Sequence, residues 1–204
     1  MKSSRHIKTI IGFVCVIFSA TIIGCAAVNV PLKNYKPVFT GDYSVYEGKR
    51  VYLMNFDNQA NDTGILEYYS PDQKFRYSKP WVVSFGDRPP LFNDDWIHNY
   101  FWYAFRDAFT KAGMVVSDDD NPDLTAQGMW VTLLSITDVK YDVQVTVQKK
   151  DKTVITKPYT IQEPPLAEKD RNPAALEQRA YRMTNRLIGT IMKDPGFQKV
   201  LTEP

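Results

Sequence analysis

Val139 to Gln148 reads VKYDVQVTVQ, and its alternation decides the fold. Val139, Tyr141, Val143, Val145 and Val147 fall on one side of an extended chain, and Lys140, Asp142, Gln144, Thr146 and Gln148 fall on the other. A period of two with one apolar face predicts a half-buried antiparallel strand. KKDK, Lys149 to Lys152, supplies a hairpin turn, and Thr153–Gln162 pairs back, with Pro158 placing it at an edge. Upstream, Thr125–Asp138 gives the strand before the hairpin. Downstream, Glu163-Pro164-Pro165 breaks the sheet, Asn172 caps, and Pro173 opens a last helix that Asp194-Pro195 ends. Leu176, Ala180, Met183, Leu187 and Ile191 line one face of it. Further upstream, Trp96–Ala112 repeats apolar residues at three- and four-residue spacing and closes at Gly113. Met114–Val116 follows as a short strand, and Arg50–Phe56 (RVYLMNF), apolar on both faces, reads as a central strand. The expected fold is α+β: a mostly antiparallel sheet of four to five strands in β-α-β-β-β-β-α order, two helices on one face.

Between first strand and first helix, residues 57–95 form a long aromatic insertion with turn signals at NDTG, SPDQ and DRPP. A segment this long inside a compact domain is functional or carries secondary structure of its own. Tyr77–Phe85 reads as an added strand. Tyr68, Tyr69, Phe75, Tyr77 and Trp81 present either extra core or a contact surface, because aromatics dominate interface energetics. Trp81 is expected inside, and the Tyr68–Tyr69 pair outside.

The N-terminus carries a different signal. Lys2, Arg5 and Lys8 precede an apolar run, Ile10 to Ile23, too short for a comfortable membrane span of about 20 residues. Basic flank, short apolar run and small residues together describe a secretory signal peptide. Its end, Ile22-Ile23-Gly24-Cys25, resembles the bacterial lipobox, in which the cysteine is diacylglycerylated, cut at its amino side and then acylated. This resemblance implies that residues 1–24 are a lipoprotein signal and that Cys25 is the anchor, with acyl chains such as palmitate holding it stably when two or more are present. A plain signal peptide cut near Ala26-Ala27 and an uncleaved anchor helix are the competing readings. Residues 25–49 then read as an acylated cysteine and tether, partly draped on a single domain over 50–204. Fully extended, the tether would reach roughly 75 to 85 Å.

Removing residues 1–24 leaves 180 of the 204 residues, the size of one ordinary domain. Three basic residues leave with it, so 22 Lys and Arg face 23 Asp and Glu, and the net charge becomes −1 instead of +2. That balance offers no field for nucleic acid. With Cys25 acylated there is no disulfide, so the domain relies on a core in which aromatics, 13% of the chain, are prominent. One histidine remains, His98, which excludes a Cys/His zinc cluster, and no thiol nucleophile or glycine-rich phosphate loop is present. No cofactor and no enzymatic activity are expected.

Four features are candidate sites. His98 beside Asp94 and Asp95 has the parts of a general base, but no motif ties a serine to it, and a first-turn histidine is ordinarily a surface or capping residue. Asp118 to Asp123 (DDDNPD) gathers oxygens but lacks the glycine and distant glutamate of an EF-hand loop, so a solvated turn is the expectation. Arg179, Arg182 and Arg186 form a row on the last helix, suited to anionic lipid headgroups or an acidic partner; the simpler reading is a solvent face opposite the apolar stripe. Tyr68, Tyr69 and Tyr77 are the aromatic candidates.

Taken together, the lipobox, RVYLMNF, a helix ending AFTKAGMVV, LTAQGMWVTLLSI, the valine hairpin and the closing DPGFQKVL resemble the YajG-type outer-membrane lipoproteins. More loosely, they are similar to the auxiliary lipoproteins of ABC-type envelope transporters. The resemblance spans Arg50 to Leu201 and implies a membrane-tethered, periplasm-facing binding or adaptor factor with no known chemistry, partnered by an envelope protein or lipid. A structural lipoprotein without cargo is the alternative, and a hydrolase a remote one. Ala26 stands where an aspartate would signal retention at the inner membrane, so the outer membrane is expected.

Overall fold

The computed structural model describes residues 28–32, 35–38, 40–54, 56–60, 68–69, 76–77, 81–84, 96–119, 121–149, 152–170 and 172–202. In chain order the elements are β1 (Val28–Pro31), β2 (Arg50–Leu53), β3 (Asp57–Asn58), β4 (Tyr68–Tyr69), β5 (Arg76–Tyr77) and β6 (Trp81–Ser84). Then follow α1 (Trp96–Lys111), β7 (Val115–Ser117), β8 (Gln127–Ile136), β9 (Lys140–Lys149), β10 (Lys152–Gln162), α2 (Pro173–Lys193) and α3 (Pro195–Thr202).

The main sheet runs β10-β9-β8-β2-β7, with β3 continuing the line of β2 along β8. The valine face behaves as expected, with Val143, Val145 and Val147 buried; on the other face Gln144 and Gln148 are half-buried, but Thr146 is buried as well. β9 pairs antiparallel with β8, Val143 opposite Leu133, and with β10, Val143 opposite Tyr159. β10 is an edge strand, as Pro158 requires. RVYLMNF is central, with Val51 and Leu53 fully buried, but its neighbours β7 and β8 both run parallel to it. The expected α+β fold, with helices on one face, is the one observed; the sheet is mixed, its long β8-β9-β10 ladders antiparallel and the short pairings of β2 and β3 parallel. α1 makes the crossover between β2 and β7, which a parallel pair needs. The strand expected over 50–56 is shorter, ending at Leu53, and Phe56 packs onto Phe105 with ring centroids 5.3 Å apart.

Both long helices cover the apolar face of this sheet. Phe101 of α1 meets Tyr141 of β9 edge to face at 5.3 Å, and Tyr100 shares a 2.9 Å hydrogen bond with Thr184 of α2. The Leu176–Ile191 stripe is buried as predicted, and Asn172 caps α2 by accepting from Ala175 N at 3.0 Å. Asp194-Pro195 ends α2 but also starts α3. Asp194 Oδ1 accepts from Gly196 N and Phe197 N, at 2.9 and 3.1 Å, so one residue terminates a helix and caps the next. Phe197 and Leu201 of α3 close the core beneath Phe109.

Several of the described residues upstream of β2 pack on the domain. β1 pairs parallel with β6 and lies along α2. Leu32, Tyr35, Tyr43 and Tyr46 are buried, and Tyr46 donates to the Met192 carbonyl at 2.6 Å.

Candidate functional site

The outward face of α2 and a strap of chain carrying Lys36, Val38, Thr40 and Tyr43 line an open groove of about 760 Å³. Helical geometry explains the placement. Tyr181, Arg182, Asn185, Gly189 and Lys193 recur at spacings of one to four, on the side of α2 opposite the Leu176–Ile191 stripe. The strap is fastened by side chains that reach backbone groups. Asn185 Oδ1 accepts from Val38 N at 2.9 Å and from the Tyr35 hydroxyl at 3.0 Å. Lys111 donates to the Pro37 carbonyl at 2.6 Å and Lys193 to the Thr40 carbonyl at 3.0 Å. Burial, with the Asp107 charge adding to it, pushes the Tyr35 hydroxyl far above its ordinary range, so it remains a donor to Asn185. Its ring packs against Tyr100 and Tyr181, each at 5.8 Å.

Beside the groove lies an arginine cluster built on Glu163, the residue where β10 gives way to the break. Arg182 Nη2 donates to Glu163 Oε2 at 2.9 Å and Arg186 Nη1 to Oε1 at 3.2 Å. Arg179 reaches underneath: its Nη2 donates to the Glu163 carbonyl at 3.0 Å and to the Pro164 carbonyl, and its Nε lies 4.0 Å from Oε2. Burial alone would raise the Glu163 carboxyl, but the bonds and charges of the three arginines outweigh it and hold it below its ordinary value.

The predicted arginine row is therefore real but not uniform. Arg182 and Arg186 are half exposed and line the groove or its rim, whereas Arg179 is 1% exposed. The expectation of one solvent face is corrected at Arg179. It stands on the shoulder of the apolar stripe, between Leu176 and Met183, where the helix turns toward the Glu163–Pro164 carbonyls. Sequence reasoning missed Lys36, Tyr43, Asn185, Gly189 and Lys193. Asn185 and Gly189, two poor helix formers four residues apart inside a helix, are the signal that was there to be read.

The acidic turn is occupied by its own chain. Asp118, Asp119 and Asp123 are spent on internal donors: Asn121 N, the Tyr52 hydroxyl, and Thr125 with Arg50. The bond to Asp119, ahead of burial, pushes the Tyr52 hydroxyl up to about 12. Among the described residues no group of three or more His, Cys, Asp or Glu converges. His98 lies in the first turn of α1, and its side chain, like Asp94 and Asp95, lies outside the described residues. Tyr68 pairs with Tyr77 across the β4–β5 ladder, and Trp81 is the first residue of β6. Their side chains, with Phe75 and Cys25, lie outside the described residues, so the aromatic candidates are located only by backbone. Among the described residues no helix is long and apolar enough to cross a membrane.

No protein-family model and no curated protein matches this sequence. Among solved structures, the fold is similar to the crystal structure of protein XCC0632 from Xanthomonas campestris, a DUF330 protein. The two share 8% identity at a TM-score of 0.52, over 85% of this chain and 94% of that one. At that identity the likeness is one of fold.

Proposed function

We propose that this chain is a lipid-anchored, non-catalytic binding or adaptor module of the bacterial cell envelope, facing the periplasm from the outer membrane. The observation that carries the reading is the strapped groove. Its volume falls within the range of about 300–1,000 Å³ typical of small-ligand sites, and its walls mix guanidinium, amide and aromatic groups. The lipobox-like Ile22–Cys25 supports the membrane attachment, and the resemblance of Arg50 to Leu201 to YajG-type lipoproteins supports the envelope role.

A photo-crosslinking amino acid tests the reading in living cells when placed at Gln178, a lining residue of the groove, or at Gln144, on the face of the sheet turned away from the Val143 side. A binding module gives an adduct of constant mass from Gln178 and none from Gln144. No adduct from Gln178 in a chain still attached to membranes would leave a structural lipoprotein without cargo.

A further inference from the structure

We propose that the groove binds the phosphodiester headgroup of an anionic phospholipid in the membrane that holds the chain. The lipid source rests on the anchor proposed above; the preference for a phosphate-bearing anion rests on the groove alone. Lys36 stands on the strap, and Arg182, Arg186 and Lys193 stand on α2. Against these four cations the site sets two carboxylates, both already engaged. Glu177 accepts from the Tyr181 hydroxyl at 2.6 Å, and Glu163 accepts one hydrogen bond at each oxygen, from Arg182 and from Arg186. Glu163 therefore orients the two guanidiniums without consuming them. Each directs a single nitrogen to that carboxylate and keeps half its side chain open. A guanidinium's planar fork matches the oxygens of a phosphate, and two of them one helical turn apart make a directed anion site.

The remaining lining suits the glycerol and first acyl carbons attached to a headgroup phosphate. Val38, Tyr43 and Tyr181 give the groove an apolar side, and Gly189 keeps its floor low. A Cβ there would meet only the Tyr43 hydroxyl, at 3.6 Å. Position agrees as well. From Cys25 to Lys36 the chain spans at most roughly 40 Å even if fully extended, and β1 takes up part of that length alongside α2. A bilayer holding Cys25 thus lies within reach of the strap. A volume of about 760 Å³ accommodates a headgroup with its glycerol, and is small for a folded partner.

The test titrates the full chain, in neutral detergent, with dihexanoylphosphatidylglycerol, dihexanoylphosphatidylcholine, inorganic phosphate and hexaglutamate by calorimetry. Phosphatidylglycerol is expected to bind saturably, at least tenfold more tightly than the zwitterionic lipid. The double variant Arg182→Gln/Arg186→Gln should weaken it at least tenfold. Lys36→Glu, on the opposite wall and away from Glu163, should also weaken it, and Lys152→Gln, at the far hairpin, should not. Circular dichroism of each variant checks that the fold is retained. Unaltered binding in the double variant and in Lys36→Glu would overturn the site. An equal loss in Lys152→Gln would reduce the effect to general charge attraction and overturn it too. Inorganic phosphate binding as tightly as the lipid would replace the headgroup with free phosphate, and tighter hexaglutamate binding would make the groove a peptide site. Because the short-chain lipid is added from solution, the titration is independent of Cys25 acylation, and loss of the anchor reading is seen separately in lipid labelling.

Discussion

Arg179 and Arg182 sit three residues apart on one helix and differ in what their removal should do. Arg179 is buried with its guanidinium on two backbone carbonyls, so Arg179→Ala strands those acceptors and takes a cation from beneath Glu163. Breaking one side of a buried ionic arrangement costs about 3–5 kcal/mol. Arg182 is half exposed, and exposed pairs contribute at most about 1 kcal/mol. Urea denaturation of the two alanine variants should separate them by that margin; equal midpoints would show that Arg179 is not structural. Glu163 adds a pH dependence. Its carboxyl is held below the ordinary 4.5, so the stability it contributes is complete above that value and is lost as pH falls through the lowered one. The melting-temperature advantage of wild type over Glu163→Gln should be constant at neutral pH and shrink below about pH 4.5; an advantage that grows on acidification would reverse the assignment. Spacing placed the three arginines near one another, but it carried no information about Glu163 or the two carbonyls, which arrive from another element.

At the scale of elements, the clearest local patterns were also the ones the fold keeps. β9 was legible because Val143 and Gln144 belong to opposite faces of a single strand, and the face is checked by charge. Val143→Asp would put an unpaired carboxylate opposite Leu133 and Tyr159 and should cost several kcal/mol. Gln144→Asp should cost less than about 1 kcal/mol. Equal melting temperatures for the two variants would mean the register is wrong. α2 was legible for the same reason, through a stripe of matching period. Strand direction was not, because an apolar run such as RVYLMNF shows that a strand is central without showing which way its neighbours point. α3 was hidden because Asp194-Pro195 reads as a stop, although the same pair is a good N-cap and first helical position.

At the scale of the whole molecule, the groove was invisible to sequence reading because its two walls are distant in the chain. One is a segment without period, and the other is the face of α2 that an amphipathic pattern leaves to solvent. The anchor is testable independently of the groove. Cys25→Ser should abolish incorporation of a palmitate analogue and leave unprocessed precursor, and wild type should fractionate with the outer membrane. Unchanged labelling and size would remove the lipoprotein reading, and fractionation with the inner membrane would move the site of action. The strap has a mechanical meaning as well. Its fastenings succeed one another along the chain, from Pro37 through Val38 to Thr40, ahead of the buried Tyr43 and Tyr46. A pull entering from the N-terminus first peels β1 from β6 and lifts Leu32 and Tyr35 out of the core; it then meets these bonds in series, one at a time, before it loads β2, and the groove opens as a tear-strip.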